Sequence, residues 1–296
     1  MLPLRQLWYR FASPTLWVCR CVGSLVLLYL VLQAVPFQWT TLSDGLRYPL
    51  LACAALLVYG PALAAIEGAR YWCEARRQGL DEVSFLKWAR IFVCSRPWAY
   101  VVPIGVAGEV AMLMTGRRDG WDPRQAFRVL LFVRLTGLLA WAIWCGVASG
   151  QAANSSLFAH LPYPLAQPVF WYGLGVVGLF FFIGHEWLNE RPAPIASIAL
   201  TFGSNALGAA TTYLAAVATG IQMNILEILG FLGILNFALV LPVSLGGIGV
   251  QEAILFAMMK DANVPLVSLM TFSTLLHLQR LLLAAVGAVL AVIDSH

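Results

Sequence analysis

Six stretches of this chain are apolar over about 20 residues, the length that a helix needs to cross a hydrocarbon core of roughly 30 Å. They lie at residues 16–36, 48–69, 128–149, 168–187, 194–219 and 264–293. In lipid every backbone N–H and C=O group needs an internal partner, so such stretches fold as helices. The sequence therefore predicts an all-α integral membrane protein with about six transmembrane helices.

Composition narrows the function classes. Only 11% of the 296 residues are charged, whereas a soluble domain carries about a quarter. No polar stretch is long enough for a soluble catalytic domain. His185 and Glu186 begin a zinc-like motif, but the second histidine that would complete it is missing. We therefore expect a protein that is not an enzyme and that uses neither a cofactor nor a metal.

Two further apolar segments, at about 91–115 and 225–259, are interrupted. The first contains VVPIGVAGEVAML and the second VLPVSLGGIGVQEAIL. Proline removes a helical hydrogen bond and glycine permits turns that a side chain would block, so each segment is predicted to break into two halves too short to span. The residues predicted to form these breaks are Pro103, Gly108, Pro242, Gly246, Gly247 and Gly249. The four glycines are also candidate substrate-binding residues, because their exposed N–H groups can hold an anion; the alternative is that they let helices pack tightly.

The basic residues predict the orientation. Lysine and arginine concentrate in segments that the positive-inside rule places in the cytoplasm, whereas Arg47 and Lys260 fall in segments placed outside. Both flanks of 91–115 are basic, so this segment is predicted to enter and leave on the cytoplasmic side as a re-entrant hairpin. We therefore expect a protein of the cell membrane with both termini in the cytoplasm. The residues assigned to the cytoplasm are Arg5, Arg10, Arg70, Arg76, Arg77, Lys87, Arg90, Arg117, Arg118, Arg124, Arg128 and Arg191.

The order of elements repeats. Residues 1–150 read as helix, helix, hairpin, helix, and residues 151–296 repeat that order, with the second hairpin at about 225–259. The first set starts inside and the second outside. The sequence thus predicts an inverted repeat whose two opposed re-entrant hairpins enter from opposite faces, as in transporters with a site at mid-membrane.

Four charged residues are further candidates for binding a substrate. Glu109 and Glu252 end the two interrupted motifs, and Arg134 and Arg280 follow them by about 25 to 28 residues within apolar stretches. Intramembrane charges mark functional sites, and a guanidinium group binds phosphate in a fork geometry. Alternatively, the four side chains form structural ion pairs or helix caps that hold the hairpins. Arg96 is predicted to lie at the cytoplasmic surface with its charge directed to water.

The stretch LPVSLGGIGVQEAILFAMM resembles the P-x-x-x-G-G-x-G-x-x-E signature of the lysylphosphatidylglycerol synthase transmembrane family, also called flippase-like proteins. VVPIGVAGEVAML, followed by the arginine in FVRLTGLLA, is similar to that family's first motif. The resemblance implies a protein that moves an aminoacylated phospholipid, or another glycerol- or isoprenoid-based lipid, between leaflets. No part of the sequence corresponds to the family's soluble aminoacyl-transfer domain, so the resemblance implies the transport part only.

Three functions are compatible with these features. The first is a membrane lipid translocase whose partners are membrane lipids, with the phospholipid headgroup passing between the hairpin tips. The second is a non-transporting subunit that docks a soluble lipid- or glycan-modifying enzyme on its basic face. The third, a membrane-embedded transferase, would have only His185, Glu186 and Glu190 for its chemistry. Nothing indicates nucleic acid, and the lipid, the direction and energy source of transport, and the oligomeric state stay open.

Overall fold

The computed structural model describes residues 45–80, 82–101, 107–151, 167–188, 195–240, 247–259 and 264–293. Within these residues every regular element is helical, which confirms the all-α class. The predicted helix at 16–36 and three predicted break residues, Pro103, Pro242 and Gly246, lie outside the described residues. The elements are α1 (Pro49–Arg77), α2 (Phe85–Val101), α3 (Ala107–Arg118), α4 (Pro123–Gln151), α5 (Pro168–Tyr172), a π-helical turn (Gly173–Val177), α6 (Gly178–Leu188), α7 (Ile195–Ala218), α8 (Ile225–Val240), α9 (Val250–Met259) and α10 (Leu266–Ile293).

Four helical stretches of the described chain are long and apolar enough to cross a membrane: α1, α4, the continuous stretch from α5 into α6, and α10. The chain is thus a multi-pass membrane protein. Helix α7 covers the predicted span 194–219 but is more polar than these four. Its polar side chains, among them Thr201, Ser204 and Asn205, are buried in the protein and do not face lipid. The complete layout of six spans and two hairpins stays a prediction.

Helix α1 continues beyond its predicted end at residue 69 because its charges are neutralised within the helix. Glu67 pairs with Arg70, and Glu74 pairs with Arg77, each at a spacing of three residues and with a closest N–O distance of 2.6 Å. Residues three apart are neighbours on a helix surface. The charged stretch is therefore part of the helical bundle. Arg70, which we had assigned to a cytoplasmic flank, is buried.

The first interrupted segment returns towards the side from which it starts. Lys87 at the beginning of α2 and Asp119 just after α3 form an ion pair at 3.0 Å, and the rings of Trp88 and Trp121 are 4.6 Å apart. With 17 and 12 residues, α2 and α3 are about 25 and 18 Å long, less than the hydrocarbon thickness. The segment therefore has the geometry of a hairpin, and its placement relative to a membrane stays a prediction.

The second interrupted segment has the predicted bounds, 225–259, and is divided into α8 and α9. At the beginning of α9, Gly247 and Gly249 have φ values of +84° and +83°. These left-handed conformations are strained for residues with a side chain, which explains two of the predicted glycines. Helix α9 has 10 residues and is about 15 Å long, too short to cross a bilayer.

The two halves pack reciprocally. The last helix of the first half, α4, packs along α8, and the last helix of the second half, α10, packs along α2, while α1 packs along α7. Both crosswise contacts are close: a Cβ added to Gly233 on α8 would overlap the sulfur of Cys145, and one added to Gly287 on α10 would overlap the carbonyl of Val93. The repeat of 1–150 and 151–296 stays a prediction.

The apolar core consists of two main clusters. One is built around Phe231 and Phe272 on α8 and α10, and the other around Trp88 on α2, with side chains from α1 and α4. Side chains of both clusters, including Leu235 and Val133, contribute to the wall of one cavity. The cavity therefore lies where the two cores meet.

Candidate functional site

This cavity has a volume of about 240 Å³ and is lined by both halves of the chain. Helices α1 to α4 supply one part of its wall, and α7, α8 and α10 supply the other. Its charged lining residues are Glu67, Arg70, Arg96, Glu109, Arg134 and Arg280, and its other polar lining residues include Tyr59, Ser204, Asn205, Asn236 and Gln279. A concentration of charge inside a membrane bundle is costly, so this cavity is the candidate functional site.

Glu109 and Arg134 meet in the cavity, as their positions in the sequence suggested. Glu109 is the third residue of α3, and its Oε1 atom lies 3.4 Å from Nη1 of Arg134 on α4. The Arg134 side chain is 33% exposed. A distance of 3.4 Å is long for a charged hydrogen bond, which is typically about 2.7–2.9 Å. Glu109 and Arg134 therefore form a charged pair on the wall of the cavity.

Glu67 and Arg70 form a tighter pair that the sequence analysis missed. Nη1 of Arg70 donates to Oε1 and Oε2 of Glu67 at 2.6 and 2.8 Å, and Nη2 donates to the carbonyl of Val133 at 3.0 Å. The hydroxyl of Ser204 on α7 donates to the same carboxylate. This network joins α1 to α4 and α7. The signal that could have found it is the Glu67–Arg70 spacing of three residues on one helix.

Arg280 lies on the cavity wall. One of our two interpretations expected it to pair with Glu252, but it does not. Its Nη2 atom donates to Oε1 of Gln251 at 2.6 Å. Gln251 is in turn fixed by donating to the hydroxyl and the carbonyl of Ser273, at 2.8 and 3.1 Å. The guanidinium group of Arg280 is therefore positioned by a neutral side chain.

Glu252 does not line the cavity. Its carboxylate instead binds other groups of the protein. Its Oε2 atom accepts the backbone N–H of Gly249 at 2.7 Å, so it caps the beginning of its own helix. Its Oε1 atom accepts the hydroxyl of Ser273 and lies 2.8 Å from Nε2 of His277. The structure therefore separates Glu252 from Glu109, which we had grouped as substrate-binding residues.

In both halves the glutamate contacts a residue 25 positions later, but the residue type differs. Arg134 follows Glu109 by 25 residues, and His277 follows Glu252 by the same number. The counterpart of Arg134 is thus His277, one turn before Arg280. A residue at the position of Arg280 in the first half would be Gly137, and a Cβ there would lie 3.5 Å from Nη2 of Arg70. The first half therefore has a guanidinium group from α1 near the place equivalent to Arg280.

Two of the predicted glycines contact guanidinium groups. A Cβ added to Gly108 would lie 3.2 Å from Nη2 of Arg96, and one added to Gly247 would lie 3.5 Å from Nη1 of Arg280. Gly108 and Gly247 thus let an arginine lie close to the beginning of α3 and of α9. Arg96, which we had predicted at the cytoplasmic surface, lies on the cavity wall.

Comparison with known proteins supports the resemblance drawn from the motifs. The family model described as lysylphosphatidylglycerol synthase TM region matches residues 183–287. The match covers 105 of the 296 residues and supports the predicted family. The match contains the whole of α7, α8 and α9, and it includes Arg280 on α10. Comparison with curated proteins and with solved structures gave no match.

The region that matches this family contains two glutamates that cap helices in the same way, the buried Glu252 and the more exposed Glu227. Glu252 caps α9, and Glu227 caps α8 by the same reach, accepting the N–H of Asn224 at 2.8 Å in an exposed setting. We expect Glu252→Gln to lower the free energy of unfolding by about 2 kcal/mol, because a buried charged hydrogen bond is lost, and Glu227→Gln to lower it by about 0.5 kcal/mol. Chemical denaturation in detergent measures both, and equal effects would contradict the structural assignment of Glu252.

Proposed function

We propose that this protein is a lipid translocase that moves a phospholipid or a related lipid between the leaflets of the cell membrane. The observation that carries the proposal is the cavity, in which both halves of a membrane-embedded helical bundle place charged side chains. The match of residues 183–287 to the family model described as lysylphosphatidylglycerol synthase TM region supports a function connected with lipids. Both termini are proposed to be cytoplasmic, since the flanks of the first hairpin are basic.

The size of the cavity fits a headgroup and excludes a whole lipid. Its volume of about 240 Å³ is below the roughly 300–1,000 Å³ of pockets for drug-sized ligands. In this proposal the headgroup enters the cavity, while the acyl chains stay in the bilayer. The polar walls then replace water around the headgroup as it crosses, which removes most of the cost of carrying charge through hydrocarbon.

We infer that the pair of Glu109 and Arg134 provides the change of partner that transport requires. When a headgroup phosphate enters, Arg134 turns from the carboxylate to the phosphate, which it can bind with two parallel hydrogen bonds. When the headgroup leaves, Glu109 takes the guanidinium group back. The carboxylate thereby prevents Arg134 from holding the phosphate permanently.

Translocation of fluorescent phospholipids in proteoliposomes tests the proposal. Wild-type protein should move lipid between leaflets, and Glu109→Gln should slow this at least about tenfold, because Arg134 loses its returning carboxylate and one charged hydrogen bond corresponds to about 1.5–3 kcal/mol. Glu227→Gln, an exposed change of the same chemistry, should leave the rate unaltered.

The second candidate is a subunit that docks a soluble lipid- or glycan-modifying enzyme. It is favoured by the exposed basic residues around the ends of the first hairpin, including Arg76, Arg90, Arg117 and Arg124. Wild-type protein that moves none of several headgroups would contradict the translocase proposal and favour this one. Co-purification of a partner that is lost on changing the exposed arginines, with no effect of Glu109→Gln, would then support it.

A further inference from the structure

Two of the four cavity arginines lack a carboxylate partner among the described residues. Arg96 donates from Nε to the carbonyl of Phe92 at 3.2 Å and from Nη2 to the hydroxyl of Ser95 at 3.1 Å. Arg280 donates from Nη2 to Gln251, and its buried Nη1 atom has no hydrogen-bond partner in the described part of the chain. Both guanidinium groups therefore have only neutral partners there.

The cavity consequently carries a surplus of positive charge. Its described walls contain four guanidinium groups and two carboxylates. Glu67 is bound to Arg70 and Glu109 lies beside Arg134, so the two uncompensated charges belong to Arg96 and Arg280. Charges that are removed from water need a counter-charge. In a membrane, the phosphate group of a lipid can supply this negative charge.

We propose that the cavity selects anionic phosphate headgroups and that Arg96 and Arg280 bind the phosphate together with Arg134. This inference rests on the proposed function and defines its substrate class. A phosphodiester carries one negative charge and offers oxygens that match the donors of a guanidinium group. An aminoacylated headgroup adds ammonium charges that meet the surplus cations, and like-charge contacts disfavour binding. The chain is therefore expected to bind phosphatidylglycerol in preference to its lysyl ester, although the family resemblance implies aminoacylated lipids.

Binding in detergent tests this inference without measuring transport. The thermal unfolding of purified protein is followed during titration with phosphatidylglycerol, lysyl-phosphatidylglycerol, phosphatidylcholine, or soluble glycerol phosphate. We expect phosphatidylglycerol to bind at least about tenfold more tightly than the lysyl ester, since the ammonium groups of the ester meet the surplus guanidinium charges and about 1.4 kcal/mol of repulsion is already a factor of ten. Arg96→Gln and Arg280→Gln should each weaken phosphatidylglycerol binding about tenfold. Arg124→Gln, an exposed change at the beginning of α4, should not.

The outcomes separate the sources of phosphate and the two proposals. Saturable binding of glycerol phosphate as tight as that of phosphatidylglycerol would assign the site to a soluble phosphate compound and overturn the lipid part of the inference. Equal or tighter binding of the lysyl ester would overturn the selectivity, even if translocation is observed. Selective binding without translocation would uphold the inference and refute the translocase. If Arg280→Gln does not fold, Arg280→Lys should fold and retain the preference for an anionic headgroup, because it keeps the charge.

Discussion

Replacing Glu67 by glutamine should lower the free energy of unfolding by about 3 kcal/mol, the largest change in stability that we expect from one substitution. Glu67 and Arg70 are only 7% and 5% exposed. The amide cannot neutralise Arg70, so a cation would stay buried without its counter-charge, and the hydroxyl of Ser204 would lose a charged acceptor. Breaking one side of a buried ion pair is strongly destabilising for this reason.

Two further variants test that explanation. Glu82→Gln changes an exposed carboxylate and should alter the free energy of unfolding by less than about 0.5 kcal/mol. The double variant Glu67→Leu/Arg70→Met removes both charges and should recover much of the loss seen in Glu67→Gln, since an apolar pair of similar volume replaces an ion pair at little cost. Denaturation of all three proteins in one detergent gives the comparison. A double variant as unstable as Glu67→Gln would show that the buried charge is not the cause.

The sequence predicted the helical class and both interrupted segments because these follow from local chemistry. Long apolar stretches fold as helices in lipid, and a proline followed by several glycines weakens a helix locally. Gly247 and Gly249 have the left-handed conformations that explain their positions. The Glu109–Arg134 contact could also be predicted from the sequence, because both residues are charged within apolar stretches of the same half of the chain.

The rest of the site depends on which face each helix presents, and the sequence does not give that. Arg70 lies where an apolar run becomes charged, so it reads as part of a cytoplasmic flank until α1 is seen to pack against α7. The sequence offers Arg280 as the partner of Glu252, but Glu252 bonds to Ser273 and His277, and Arg280 bonds to Gln251. The spacing of 25 residues, equal to that of Glu109 and Arg134, is the signal that would have favoured His277.

Modification of a cysteine in the cavity should abolish translocation. Gly208 on α7 lines the cavity, and an added Cβ there would meet no atom within 4 Å. Gly208→Cys should therefore fold normally and place a thiol in the path of the headgroup. Gly184 on α6 is the matched control, since an added Cβ is equally unobstructed and this residue does not line the cavity. Both changes are made after the six native cysteines are replaced by alanine.

The measurement that tests the account most directly is lipid translocation by these two proteins in proteoliposomes, before and after reaction with a bulky methanethiosulfonate reagent. Labelling is verified by mass in each case. We expect the labelled Gly208→Cys protein to lose translocation almost completely and to recover it on reduction, whereas the labelled Gly184→Cys protein should keep its rate. An unchanged rate in fully labelled Gly208→Cys protein would contradict the claim that the headgroup passes through this cavity.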